Sequence, residues 1–256
     1  MNLRYTLGAL LVIPLLPLLY IQGKRIKASI PQLPEAAGPR GIAKGGIGKP
    51  IRLLAIGEST IAGVGVATHE EGLTGTLAQT LATEETGDVH WWVYARSGYT
   101  AKLVREKLLP KIKESSFDLI VVGLGGNDAF YLNHPKRWRR DIEELIIAIQ
   151  KQFRGTPIFF TNMPPIREFP AFTRPIQFVV GGLIEILGQE LAASVRDYPM
   201  VFYNAEIITL ASWTRRWQIS GQASDFFSDG VHPAPITYQI WGKEMAKFIQ
   251  YHLPNL

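Results

Sequence analysis

Two short segments of this chain hold residue types that together perform nucleophilic chemistry. Gly57-Glu58-Ser59-Thr60 follows an apolar run, Ile51 to Ile56, and presents a hydroxyl. Asp229-Gly230-Val231-His232-Pro233 presents a carboxylate and an imidazole three residues apart, among turn-forming residues. A serine hydroxyl is a poor nucleophile at neutral pH and needs a base beside it. The base needs an acceptor on its other ring nitrogen to fix its tautomer. Ser59, His232 and Asp229 are candidates for these three roles.

Attack on a carbonyl also requires donors fixed in place for the oxyanion that develops; one such donor is worth ~10²–10³ in rate. The candidates are the backbone N–H of Ser59, the backbone N–H of Gly98 and the side-chain amide of Asn127. Glycine at 98 lets a substrate approach the main chain, and Gly125-Gly126 allows a sharp turn that aims Asn127 inward. Taken singly, each feature has a plainer reading. Ser59 suits a helix N-cap, the Asp229–Pro233 stretch a turn, and Asn127-Asp128 an Asx turn. His69, His90, His134 and His252 have no carboxylate at a suggestive spacing and read as surface or structural residues. No His/Asp/Glu cluster has metal-ligand spacing, and no glycine-rich dinucleotide fingerprint occurs near Gly63 and Gly65.

The elements that must position these residues follow from patterning. Strand-like runs are Leu53–Ile56, Trp91–Tyr94, Leu119–Leu124, Ile158–Thr161 and Val201–Tyr203. Between them apolar residues recur at helical spacing: Leu73, Leu77 and Leu81; more loosely Leu103, Leu108 and Ile112; Trp138 to Ile149; Leu183 to Leu191; and Ile236 to Tyr251. Alternation of this kind predicts a three-layer α/β/α fold around a five-stranded parallel sheet in the flavodoxin-like order 2-1-3-4-5. Ligands then bind beyond the carboxyl ends of the strands at the switch point between strands 1 and 3. Ser59, Gly98 and Asn127 follow strands 1, 2 and 3, and Asp229 and His232 precede the final helix.

These segments resemble the SGNH hydrolase family, the GDSL-like lipases and esterases, over about residues 51–252. Gly57-Glu58-Ser59 is similar to the nucleophile block. Gly98 matches the glycine block, Gly125-Gly126-Asn127-Asp128 the Gly-x-Asn-Asp block, and Asp229 to His232 the Asp-x-x-His block. The first block usually has aspartate where this chain has Glu58. By its place before the nucleophile, this carboxylate reads as an organiser of the turn. The resemblance implies a serine hydrolase cleaving carboxylic esters through an acyl-enzyme, with no metal or organic cofactor. The alternatives are an acyltransferase on the same scaffold, or a catalytically weak membrane-tethered binding module.

The chain of 256 residues carries a net charge of +5 and no cysteine, which excludes disulfides and thiol chemistry. The basic excess suits an anionic lipid surface; with no known nucleic-acid motif, nucleic acid is not an expected partner. Nineteen residues without formal charge, Tyr5 to Gly23, would reach ~28 Å as a helix, near a bilayer's hydrocarbon thickness. Residues 1–27 therefore read as a membrane anchor or signal-like segment, residues 28–50, rich in proline and glycine, as a linker, and residues 51–256 as the hydrolase domain. Lys24, Arg25 and Lys27 beyond the span tip the positive-inside balance towards a cytoplasmic domain, with export as the alternative. The run Lys136-Arg137-Trp138-Arg139-Arg140 reads as a solvated helix face or as a basic rim of the crevice. Phe169, Phe172, Phe178 and Trp213 read as acyl-pocket lining or as core. The expected ligand is a small-molecule or lipid ester.

Overall fold

Apolar runs too short for helices become strands here, and the longer stretches with apolar residues every three or four positions become helices. The computed structural model describes Tyr5, residues 12–84 and residues 87–254. The strands are β1 (Arg40–Ala43), β2 (Ile51–Gly57), β3 (Val89–Ala95), β4 (Leu119–Gly123), β5 (Ile158–Phe160) and β6 (Val201–Tyr203). The main helices are α1 (Leu16–Ser29), α2 (Leu73–Glu84), α3 (Gly126–Phe130), α4 (Pro135–Gln152), α5 (Arg174–Val195), α6 (Leu210–Trp217) and α7 (Pro235–His252). The looser spacing at Leu103, Leu108 and Ile112 corresponds to an irregular segment. It passes from α-helix through a π-turn at Val104–Leu108 to a 3₁₀ turn containing Pro110.

Among the described residues the strands form one sheet in the order β1-β3-β2-β4-β5-β6. Strands β3, β2, β4, β5 and β6 run parallel, with Ile56 of β2 opposite Tyr94 of β3 and Val122 of β4. The expected five-stranded parallel sheet is thus corrected to a six-stranded mixed one. The added strand, β1, pairs antiparallel with β3, placing Arg40 opposite Trp92 and Ala43 opposite Val89. It lies inside the stretch expected to be a linker. Of its four residues only Ala43 is buried, so it shows no strand-like apolar pattern. Its role is to cover the edge of β3, which would otherwise present unpaired backbone groups. Neighbouring residues are also bonded to the domain: the Ala36 N–H donates to Ala62 O, and the His69 N–H to Ala37 O.

Helix α2 packs on α7, and α4 on α5, giving the three-layer α/β/α arrangement. Trp138 shows how the α4–α5 layer is fixed. Its side chain is fully buried and its indole N–H donates to Leu187 O at 3.0 Å. The flanking basic residues stay at the surface and pair along or beside the helix, Arg139 with Glu143 and Asp197, Arg140 with Glu144. A solvated face is the reading this supports.

The N-terminal segment is described only in part. Residues 6–11 of the expected membrane span lie outside the described residues. The described part ends in α1, a helix of 14 residues that rises only ~21 Å and lies against the domain. Leu19 and Ile26 pack on the core, and the Thr173 hydroxyl donates to Gln22 Oε1 at 2.8 Å. Among the described residues one helix is long and apolar enough to cross a bilayer by length and composition, α5 in mid-chain, and it packs against α4.

Candidate active site

The crevice begins where β2 and β4 end side by side. Gly57 and Gly123 are paired in register. A Cβ on Gly57 would lie 2.2 Å from Gly123 O, and one on Gly123 would lie 2.6 Å from Ile61 Cγ1. Only glycine at both positions lets the two strand ends approach so closely. Beyond them the chain turns at once: the Glu58 N–H donates to Gly123 O, and the Ala62 N–H donates back to Glu58 O. Ser59 sits on this turn, half-buried at the crevice floor.

Glu58 points away from solvent into the loop after β4. One carboxylate oxygen accepts the Gly126 N–H at 2.8 Å; the other accepts the Asn127 N–H at 3.0 Å and the Asn127 side-chain amide at 2.5 Å. Burial pushes the carboxyl up to about 7. The hydrogen bonds from Asn127 and Gly126 oppose that rise, and the nearby charge of Asp128 adds to it. The Asn127 amide also donates to Tyr99 O at 3.2 Å. Both neighbours are acceptors, which fixes the amide nitrogen on that side and engages both of its hydrogens. Asp128 is a structural residue by its contacts. It is buried and accepts from the Ala101 N–H and the Asn133 side chain, and burial lifts its carboxyl to about 6.

Gly98 lies on the loop after β3 with φ +83° and no atom within 4 Å of a Cβ built on it. The left-handed backbone, not crowding, calls for glycine here. Glu35 holds this loop, accepting the Ser97 N–H at 2.8 Å and an Arg96 guanidinium N–H at 3.2 Å. Among the described residues neither the Ser59 N–H nor the Gly98 N–H has a hydrogen-bond partner.

The segment Phe227 to Pro233 closes on itself, with an isolated bridge between those two residues and the Ser228 N–H donating to His232 O. The Asp229 side chain is 1% exposed and His232 22%, so the carboxylate sits behind the ring. One Asp229 oxygen is 2.7 Å from His232 Nδ1; the other accepts the Val231 and His232 N–H groups at 2.9 and 2.7 Å. Burial pushes this carboxyl up, but the bonds from the ring and the backbone outweigh it and hold it below the usual range. The contact places the ring proton on Nδ1 and leaves Nε2 free to accept.

Ser59, Gly98, Asn127 and His232 all line one cavity of about 890 Å³, with Asp229 behind the histidine. Among the described residues no hydrogen bond joins Ser59 Oγ to His232. Phe169 and Phe172 line the cavity; Trp213 is core packing against Trp241, and Phe178 is 69% exposed. Among the described residues no group of His, Asp and Glu could hold a metal. His69 is buried, and His134 caps α4 by accepting the Lys136 N–H. Sequence reasoning missed Glu35 and the cavity-lining residues of α1; the apolar run that suggests a membrane span is the signal for the latter.

The arrangement is that of an α/β/α protein with a serine and a carboxylate–imidazole pair on one cavity, the parts a hydrolase needs. The sequence matches the GDSL-like Lipase/Acylhydrolase family over residues 55–240, and the chain belongs to this family of SGNH hydrolases. Similar solved structures include TesA, with TM-score 0.57 and 19% identity over 80% of this chain and 99% of that one. The lipase/acylhydrolase from Enterococcus faecalis has TM-score 0.53 and 19% identity, covering 79% and 96%. Phospholipase A1 from Streptomyces albidoflavus NA297 has TM-score 0.55 and 14% identity, covering 77% and 98%. At these identities the likeness shows the fold. No curated protein matches the sequence.

Proposed function

We propose that the protein is a membrane-tethered serine esterase acting through an acyl-enzyme. Ser59 Oγ attacks the ester carbonyl while His232 Nε2 takes its proton. His232 then returns that proton to the leaving alcohol. Asp229 keeps the ring in the productive tautomer and stabilises its cation. The Ser59 and Gly98 N–H groups and the Asn127 amide bind the oxyanion. Water, deprotonated by His232, releases the acyl group and restores Ser59. The observation that carries this reading is the 2.7 Å Asp229–His232 contact, on the same cavity as Ser59 and two backbone N–H groups without partners. The test is labelling by an alkyl fluorophosphonate together with turnover of short-chain nitrophenyl esters. Ser59→Ala abolishes both; full activity in that variant overturns the assignment.

The tether is supported by the uncharged run Tyr5 to Gly23 and by Ile21 of α1 and Ile13 just before it, both at least half exposed. Lys24 and Arg25 follow, placed to meet anionic headgroups on the domain's side. Membrane association that survives alkaline carbonate extraction, and protease accessibility of the domain in intact cells, test anchoring and sidedness.

A further inference from the structure

The cavity extends well beyond the reactive groups, and one of its walls is not part of the α/β/α body. Leu16, Leu19, Tyr20, Gly23 and Ile26 of α1 line it. Their spacing of three and four residues places them on one face of the helix. Facing them are Phe172 and, from α5, Ile176 and Val180. The lining contributed by α1 and α5 is apolar except for Lys24, an exposed residue whose ammonium lies 4.9 Å over the Tyr20 ring. The apolar part of this lining favours a hydrocarbon chain over a polar group, because a buried unpaired polar group costs more than an apolar contact returns.

We infer that α1 has a second role besides tethering: it completes a binding channel for a long hydrocarbon chain, so the substrate class is an ester carrying such a chain. This rests on the esterase reading of the same site. Gly23 is the position that sets the width of the channel. It lies between Leu19 and Ile26 on the lining face, and a Cβ built on it meets no atom within 4 Å. A larger side chain therefore meets open space, and replacing glycine inside a helix does not weaken that helix. Each methylene buried in the channel is worth about fourfold in kcat/KM, the equivalent of ~0.8 kcal/mol.

The test uses the full-length protein in detergent micelles with two ester series: nitrophenyl esters of acyl chains from two to sixteen carbons, and acetate esters of alcohols of the same lengths. The wild type gains about fifteenfold per two carbons in at least one series, until the channel is filled, and which one assigns the chain to the acyl or the alcohol side. Gly23→Leu lowers kcat/KM for chains of eight carbons and more at least tenfold, while acetyl and butyryl nitrophenyl ester turnover and fluorophosphonate labelling of Ser59 stay within twofold. Gly23→Ala falls between. Ile26→Trp narrows the same channel from the next turn and repeats the loss. A wild type indifferent to chain length, or variants that lower short and long esters equally while still labelling, overturns the inference and leaves the esterase intact. A wild type that neither labels nor turns over any ester removes the catalytic reading itself, and the channel with it.

Discussion

The side-chain amide of Asn127 donates one hydrogen to Glu58 at 2.5 Å and the other to Tyr99 O at 3.2 Å. An oxyanion arriving beside Ser59 can therefore recruit Asn127 only through the longer and weaker of the two bonds, while the Glu58 bond holds the amide in place. In the proposed mechanism Glu58 thus anchors the oxyanion donor Asn127. Glu58→Ala leaves the Gly126 N–H, the Asn127 N–H and the amide without their acceptor in a buried site. Unsatisfied buried donors cost about 1–3 kcal/mol each. Urea denaturation shows a loss of at least 2 kcal/mol, and ester kcat falls at least tenfold with KM nearly unchanged, because the lost contact matters in the transition state. Asn127→Ala gives the kcat loss without most of the stability loss.

The same carboxyl makes stability depend on pH in a direction opposite to the usual acidic residue. Its folded value of about 7 lies above the ordinary 4.5. Below about pH 4.5 the group is protonated in both folded and unfolded chains. As pH rises from there to about 7 the unfolded chain ionises first, so stability falls; above 7 the loss is complete, roughly 3 kcal/mol by linkage. Asp128, lifted to about 6, acts in the same sense over a lower range, whereas Asp229, held low, contributes stability that disappears only as pH falls. Glu58→Gln removes the first contribution alone. The difference in unfolding free energy between wild type and Glu58→Gln, measured from pH 4.5 to 8, declines for the wild type with its midpoint between these limits. A flat difference contradicts the assignment.

Asp229 is expected to matter through tautomer control. Asp229→Asn presents an amide that can donate to Nδ1 and so favours the ring form with its proton on the wrong nitrogen. A loss of roughly 10³–10⁴ in kcat follows, with substrate binding preserved. Fluorophosphonate labelling slows in parallel, since it needs the same base. Labelling at wild-type rate in this variant would remove Asp229 from the mechanism.

Gly98 and Gly123 separate two reasons for glycine. Gly98→Ala meets no atom, yet must hold φ +83°, which costs a residue with a Cβ about 1–2 kcal/mol. The loop relieves this by moving, which displaces the N–H proposed to bind the oxyanion and lowers kcat about 10²-fold with a small change in Tm. Gly123→Ala forces a contact 2.6 Å from Ile61 and destabilises the protein broadly, with activity lost only as the folded population falls. Comparing Tm with kcat for the two variants distinguishes them.

The parts of the candidate site legible in the sequence are those in which one residue type admits few chemistries in a fixed order along the chain. Ser59, Gly98, Asn127, Asp229 and His232 each follow a strand or precede the last helix, and alternating apolar runs suffice to bring such positions to one sheet edge. The edge strand β1 was hidden for a physical reason: a short strand on a sheet margin buries one side chain in four and carries no periodic signal. The apolar character of α1 predicts a membrane segment. The same character suits a wall of an apolar cavity, and composition alone does not separate lipid from a channel as the apolar surroundings. The bond from Asn127 to Glu58 spans 69 residues and depends on side-chain reach, which no local pattern encodes.

Glu35 is the remaining long-range partner, and it acts from within the stretch that reads as a tether. It accepts the Ser97 N–H and pairs with Arg96, fixing the loop that carries Gly98. The ion pair is partly exposed and adds little to global stability, within about 1 kcal/mol. Its effect is on where the Gly98 N–H points. Glu35→Ala therefore lowers kcat five- to tenfold at nearly constant Tm. Glu35→Gln, whose amide oxygen still accepts the Ser97 N–H but cannot pair with Arg96 as a charge, recovers most of the rate. Equal losses in both variants would mean that the charge on Arg96, not the bond to Ser97, is what positions the loop.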